Sequence, residues 1–137
     1  MAYLQWNITG TTAKDLLATS GTGYALATAT AATAATATDS NRGSSTKSTG
    51  VIENVLIANN RTAVSTVNLY TERWDGSGTG GTPMYILNSV AMPVGASLQI
   101  DTPIQFNRNT DSVVVVLENA SDDVTVNMTY TEHIKVT

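Results

Sequence analysis

Apolar and polar residues alternate with a period of two through most of residues 51–137. Seven short runs carry the pattern, and clusters of Gly, Asn, Asp or Pro separate them: 51–57, 63–74, 84–92, 97–101, 104–106, 112–118 and 124–136. A period of two is typical of strands, and the continuously apolar run 112–118 indicates a central strand buried on both faces. Short strands at this spacing predict an all-β fold, an antiparallel β-sandwich or jelly roll.

The chain divides into three parts within one predicted domain. Residues 1–24 begin with an apolar stretch, and 4–8 predicts a strand added to the sandwich. Residues 25–50 are of low complexity, and positions 27–38 contain only Ala and Thr. Small side chains bury little apolar area. Their burial therefore does not offset the conformational entropy that is lost when the backbone becomes ordered, about 1–2 kcal/mol per residue. We therefore predict a long arm or loop inserted before the sandwich core, 51–137.

Two interpretations of this Ala/Thr-rich segment remain open. One is a disordered insertion at the surface. The other is an arm that orders against a neighbouring subunit, because small side chains let two backbones approach closely. In that case Ala27 and Thr38, the ends of the Ala/Thr stretch, are candidate interface residues.

Composition and charge narrow the classes of function. Of the 137 residues, 42% are hydrophobic and 13% are charged, against about 25% charged in typical soluble domains. The net charge of −4 argues against a nucleic-acid partner. No apolar stretch is long enough for a membrane span, and the absence of Cys excludes disulfides and thiolate metal sites. The opening residues lack a secretion-signal pattern, which favours synthesis in a bacterial cytoplasm.

Residues suited to catalysis are few and dispersed. His133 is the single histidine, and it lies in a predicted strand without a motif that selects a nucleophile. Asp122 and Asp123 fall in a predicted turn, where short carboxylates bond their own backbone. The glycine-rich stretch 76–81 lacks the lysine and helix of a phosphate loop and predicts a hairpin tip. We predict a protein that is not an enzyme and has no catalytic residue, cofactor or metal.

Aromatic residues are concentrated beside this glycine-rich tip. Arg73 and Trp74 precede it, and Tyr70 and Tyr85 lie on the two flanking runs. Aromatic side chains bury large areas, so these four residues are candidates for the core or for a subunit interface. Alternatively, exposed aromatic rings stack on sugars, as they do in carbohydrate-binding modules.

Three segments carry a recognisable strand pattern. They are IENVLIANN at 52–60, VSTVNLY at 64–70 and YILNSVAMPVGASL at 85–98. In this order they resemble small virion structural proteins of tailed bacteriophages. Those proteins combine an I-x-N-[IV]-x-[IV]-x-N strand, a V-x-[IVL]-Y strand and a Y-I-L-x-x-V-x-[IM]-P-V-G-x-x-L segment.

The resemblance implies a non-enzymatic β-sandwich subunit of the virion, most simply a capsid decoration or cement protein. A neck, tail or fibre-attachment subunit is the alternative within this class. The implied partners are further copies of the chain, for example in a trimer, and other virion proteins such as the major capsid protein. The insertion at 25–50 departs from the pattern and leaves the position in the virion open.

Overall fold

The structure, a computed structural model, describes residues 2–20, 26–31, 48–73, 82–107 and 111–134. These ranges contain ten strands and no helix. The strands are β1 (Ala2–Thr9), β2 (Lys14–Ser20), β3 (Leu26–Ala31), β4 (Ser48–Asn59), β5 (Ser65–Arg73), β6 (Met84–Met92), β7 (Ser97–Ile100), β8 (Ile104–Asn107), β9 (Asp111–Leu117) and β10 (Asp123–Ile134). The predicted all-β class is confirmed.

The strands form two antiparallel sheets that pack against each other as a sandwich. In the first sheet, β10 lies between β1 and β4, and the short strands β7 and β8 both pair with β4. In the second sheet the order is β6-β5-β9-β2-β3. Strand β9 is buried along almost its whole length between β5 and β2, as its continuous apolar run predicts.

Strand β3 joins the two sheets. It pairs antiparallel with β2, and it also pairs parallel with β1 at Leu26 and Ala27. The sequence analysis placed these residues in an arm or loop, and in the structure residues 26–31 form a strand. Thr is β-branched and suits an extended backbone, and the backbone of β3 pairs with β2 on one side and with β1 on the other. Residues 32–47, the rest of the predicted arm, lie outside the described residues.

The core lies between the inward faces of the two sheets. Strand β1 alternates strictly, and its residues Leu4, Trp6 and Ile8 are buried, which confirms the predicted added strand. In β4 the alternation breaks at a bulge: Thr129 and Tyr130 of β10 pair with Asn54 and Ile52, so that Glu53 is an extra residue. The bulge lets Ile52 and Val55, three positions apart, both face the core.

Gly50 in β4 lies so close to Thr131 and Phe106 that a residue with a side chain would not fit in its place. A Cβ atom there would lie 2.5 Å from the Thr131 carbonyl oxygen and 2.6 Å from Cζ of Phe106. We expect Gly50→Ala to lower the free energy of unfolding by about 1–3 kcal/mol, because the backbone of β10 must shift. Urea denaturation measures the change. The neighbouring exposed substitution Thr49→Ala should stay within about 0.5 kcal/mol of the wild type, and equal effects would contradict the close approach.

Candidate functional site

The outer face of the first sheet is a continuous surface in which nine of eleven outward-pointing side chains carry an amide or a hydroxyl. We call it the amide face. It is formed by the outward-pointing residues of β1, β10, β4 and β7: Tyr3, Gln5, Asn7, Thr125, Asn127, Thr129, Asn54, Leu56, Ala58, Ser97 and Gln99. None of these residues is Asp, Glu, Lys, Arg or His, in keeping with the low share of charged residues in the chain.

The strand register places these side chains in rows across the sheet. One row runs Gln5, Asn127, Leu56, Gln99, and the next runs Asn7, Thr125, Ala58, Ser97. Residues directly opposite on neighbouring strands lie close enough to interact. The rows therefore make one surface rather than four separate strand faces.

Three carboxylates lie at the rim of the amide face, and each is held by neutral groups. Asp101 accepts hydrogen bonds from the amides of Asn54 and Gln99 at 2.7 and 2.8 Å. Asp123 accepts from Asn7 at 2.9 Å and Asn60 at 3.0 Å. At the bulge, the Thr131 hydroxyl donates to Glu53 at 3.1 Å. The rim is acidic, whereas the centre is neutral.

Asn127 occupies the middle of this face, on the central strand β10. Its Oδ1 atom is enclosed and has no hydrogen-bond partner among the described residues. Its cross-strand neighbours are Gln5 and Leu56, and the side-chain Oε1 of Gln5 accepts from the Tyr3 hydroxyl at 3.2 Å. An enclosed acceptor without a donor costs about 1–3 kcal/mol.

The aromatic residues predicted from the sequence meet on the second sheet. Tyr70 of β5 pairs with Tyr85 of β6, and their ring centroids lie 5.2 Å apart at 55°. Tyr85 is 49% exposed. Burial, and then the negative charge of nearby Glu72, raise the pKa of the Tyr70 phenol, so it stays protonated at neutral pH. Trp74 lies outside the described residues, as does Thr38, while the backbone of Ala27 belongs to β3.

Arg73 lies at the end of β5, beside a cleft between the two sheets. Its Nε donates to Asp111 Oδ1 at 3.0 Å, and this hydrogen bond raises the pKa of the guanidinium. Gln105, Phe106 and His133 also line the cleft. His133 is exposed and pairs with Thr49 across the sheet. In the described ranges, no three His, Cys, Asp or Glu residues converge as a metal site would require.

The sequence did not predict the polar cluster at the opposite end of the sandwich. Asn59 donates to the carbonyls of Ala63, Met92 and Pro93 at 2.9–3.1 Å and accepts from the Ser65 hydroxyl. This one amide ties the loop after β4 to the turn after β6. The signal for it was the Asn-Asn pair at 59–60, which the sequence pattern identifies only as a turn.

Asp122 belongs to the same cluster. It was predicted as an ordinary turn residue, but it is 1% exposed. It accepts from the Thr66 and Asn119 backbone N–H groups at 3.2 and 3.0 Å and from Arg61 Nη1 at 2.8 Å. Burial favours a higher pKa for this carboxyl, but these donors outweigh it and lower the pKa below its ordinary value. The role of Asp122 is to hold two loops together.

Nothing long and apolar enough to cross a membrane as a helix occurs in the ranges that the structure covers. No protein-family model matches the chain, and neither the curated proteins nor the solved structures contain a significant match to it.

Proposed function

We propose that this protein is a non-enzymatic structural subunit of a bacteriophage virion, most simply a capsid decoration or cement protein. The amide face is the observation that carries the proposal. It is a sheet face of neutral hydrogen-bonding groups, with an unpaired amide at its middle and charges only at its rim.

Such a surface is suited to permanent contact with another protein. Removing an ionised group from water costs several kcal/mol of desolvation free energy. The desolvation cost of an amide or a hydroxyl is far smaller, and these groups can form new hydrogen bonds across an interface. In protein–protein interfaces, charged residues are usually rare at the centre and occur at the rim. The amide face has this distribution.

The segments that resemble phage virion proteins support the same function. Segments 52–60 and 64–70 lie on β4 and β5 and the loop between them, and segment 85–98 includes most of β6. In the proposed function the protein is made in the bacterial cytoplasm and becomes part of the extracellular particle. Its partners are further copies of itself and other virion proteins such as the major capsid protein. A subunit of the neck or tail, or one that attaches a fibre, would use the same surface.

Particles provide the test. Particles from the cells that encode this chain are purified on a density gradient and analysed by quantitative mass spectrometry, with a host cytoplasmic protein of similar abundance as the control. We expect many copies of the chain per particle and loss of the control protein. A chain that stays in the soluble fraction with the control would refute the proposal.

Sugar binding is the second candidate, and the half-exposed ring of Tyr85 against Tyr70 is the observation that favours it. Aromatic rings offer faces for stacking. The chain has two Trp residues, and Trp6 is fully buried, so a sugar-dependent change in tryptophan fluorescence reports on Trp74. A saturable change that is absent in Trp74→Phe favours this candidate, and no change across a glycan panel excludes it.

A further inference from the structure

The cleft beside Arg73 is a concave space at one end of the sandwich, away from the centre of the amide face. It consists of two adjoining cavities of about 260 and 450 Å³, and the residues that line both are Arg73, Gln105, Phe106 and Asp111. Pockets for small molecules are concave and typically measure about 300–1,000 Å³. The cleft is therefore large enough for a small molecule or for one side chain of another protein.

The guanidinium of Arg73 is held at one edge and accessible at the other. Its Nε donates to Asp111 Oδ1 at 3.0 Å, and Asp111 Oδ2 accepts from the Asn107 backbone N–H at 2.8 Å. The side chain of Asp111 is 10% exposed, whereas that of Arg73 is 79% exposed. The terminal nitrogens Nη1 and Nη2 make no hydrogen bond with a residue that the structure describes. Asp111 therefore positions Arg73 and leaves its outer edge for a ligand.

We propose that this cleft binds a carboxylate group, which accepts two parallel hydrogen bonds from Nη1 and Nη2 of Arg73. The inference goes beyond the proposed function and does not depend on it. A guanidinium carries its donors in a planar fork that matches the two oxygens of a carboxylate. Water hydrates these nitrogens in the free protein, and a carboxylate replaces it with two charge-assisted hydrogen bonds.

The charges around the cleft favour a carboxylate over a phosphate. Among the described lining residues, Asp111 and Glu72 are acidic and Arg73 carries the positive charge. A phosphate dianion would be repelled by both carboxylates about twice as strongly as a ligand with one negative charge. Both kinds of ligand would form the same two contacts with Arg73. The singly charged ligand therefore has the more favourable balance.

Apolar side chains beside Arg73 indicate what the rest of the ligand is like. Phe106 and Met84 both line the cleft, and Met84 is 64% exposed. Burying this apolar surface against a ligand is favourable. The chemistry is thus a carboxylate on a small apolar or aromatic body. Such a group occurs in free small molecules and at acidic or C-terminal residues of other proteins.

A pair of probes that differ only in the carboxylate tests the site. N-acetyl-L-phenylalanine and N-acetyl-L-phenylalanine amide are titrated separately into the ¹⁵N-labelled chain, and NMR follows the signals of Gln105 and Asn107. We expect saturable shifts from the acid and about tenfold weaker binding of the amide, because a hydrogen bond to a charged group contributes about 1.5–3 kcal/mol. Equal binding of the two probes, no binding of the acid, or tighter binding of inorganic phosphate would overturn the proposal.

Variants of Arg73 test whether the fork itself makes the contact. We expect Arg73→Gln to weaken binding of the acid about tenfold. Arg73→Lys should weaken it several-fold, because lysine keeps the charge but not the paired donors. Asn88→Ala, on the exposed edge strand β6, is the matched control and should bind like the wild type. Circular dichroism verifies that each variant folds. Unchanged affinity in Arg73→Gln would assign the binding to another surface and refute the site.

The source of the carboxylate is distinguished by comparing particles that carry the wild-type chain with particles that carry Arg73→Gln. Fewer copies of the variant per particle would show that the carboxylate belongs to another protein of the particle. Equal copy numbers, together with saturable binding of the acid, would assign the cleft to a free small molecule. The proposed function is tested by the wild-type particles alone, so it can fail without affecting the titration, and the titration can fail without affecting it.

Discussion

Trp6→Ala is expected to lower the free energy of unfolding by about 3–5 kcal/mol, the usual cost of removing a buried tryptophan. Trp6 is fully buried, on a strand that pairs with β10 on one side and β3 on the other. The cavity therefore opens where the two sheets are joined. For a domain of this size the midpoint of thermal unfolding should fall by about 10–15 °C.

Thr9→Ala on the same strand is the control for this prediction. Thr9 is exposed and faces away from the core, so the substitution should change the free energy of unfolding by less than about 0.5 kcal/mol. Calorimetry or urea denaturation measures both variants. Similar losses in the two would mean that β1 is not oriented with Trp6 towards the core.

Asp122→Ala is the second prediction, with an expected loss of about 2–4 kcal/mol. The substitution removes the acceptor of two backbone N–H groups and the partner of Arg61. An enclosed group that loses its partner costs about 1–3 kcal/mol. The side chain of Arg61 is 24% exposed, so water can replace part of the hydrogen bonding that it loses. The decrease in the free energy of unfolding therefore stays below the sum of the separate interactions. Asp123→Ala, which removes the adjacent and more exposed carboxylate, should cost less than about 1 kcal/mol.

The pH dependence of Asp122→Ala has a defined sign. The pKa of Asp122 is lower in the folded protein than in the unfolded chain, where it is about 3.9. Its contribution to stability is therefore complete above the unfolded pKa and is lost as the pH falls through the folded pKa. The difference between wild type and Asp122→Ala should shrink below about pH 4. A difference that grows on acidification would contradict the depressed pKa.

Much of the fold could be predicted from the pattern of apolar and polar positions along the chain. The period of two located the strands from 51 onward, and the apolar run at 112–118 identified β9 as the central, doubly buried strand. Alternation works here because each sheet has one face in the core, so that burial repeats with the strand geometry. It also gave the added strand β1.

What could not be predicted depends on contacts between distant segments. The Ala/Thr composition of β3 does not indicate that two strands lie beside it to receive its hydrogen bonds. Nothing in the local sequence shows that Gly50 lies against Phe106 and Thr131. The burial of Asp122 depends on Arg61 and Thr66, which are more than fifty residues away in the chain.

The candidate site shows the same limit. The aromatic residues Tyr70 and Tyr85 could be selected from the sequence because their chemistry is distinctive, and they do meet. The amide face could not, because Asn, Gln and Thr are common and individually uninformative. They form a surface only when the register aligns β1, β10, β4 and β7.

Hydroxyl-radical footprinting tests most directly whether the amide face is the surface through which this protein joins its assembly. Tyr3 and Leu56 on that face and Met84 on the second sheet are reactive side chains, and Met84 is 64% exposed. Their modification rates are compared between the dilute chain and purified particles. We predict that Tyr3 and Leu56 are protected several-fold in the particle while Met84 stays reactive. Unchanged rates at Tyr3 and Leu56 would contradict the account.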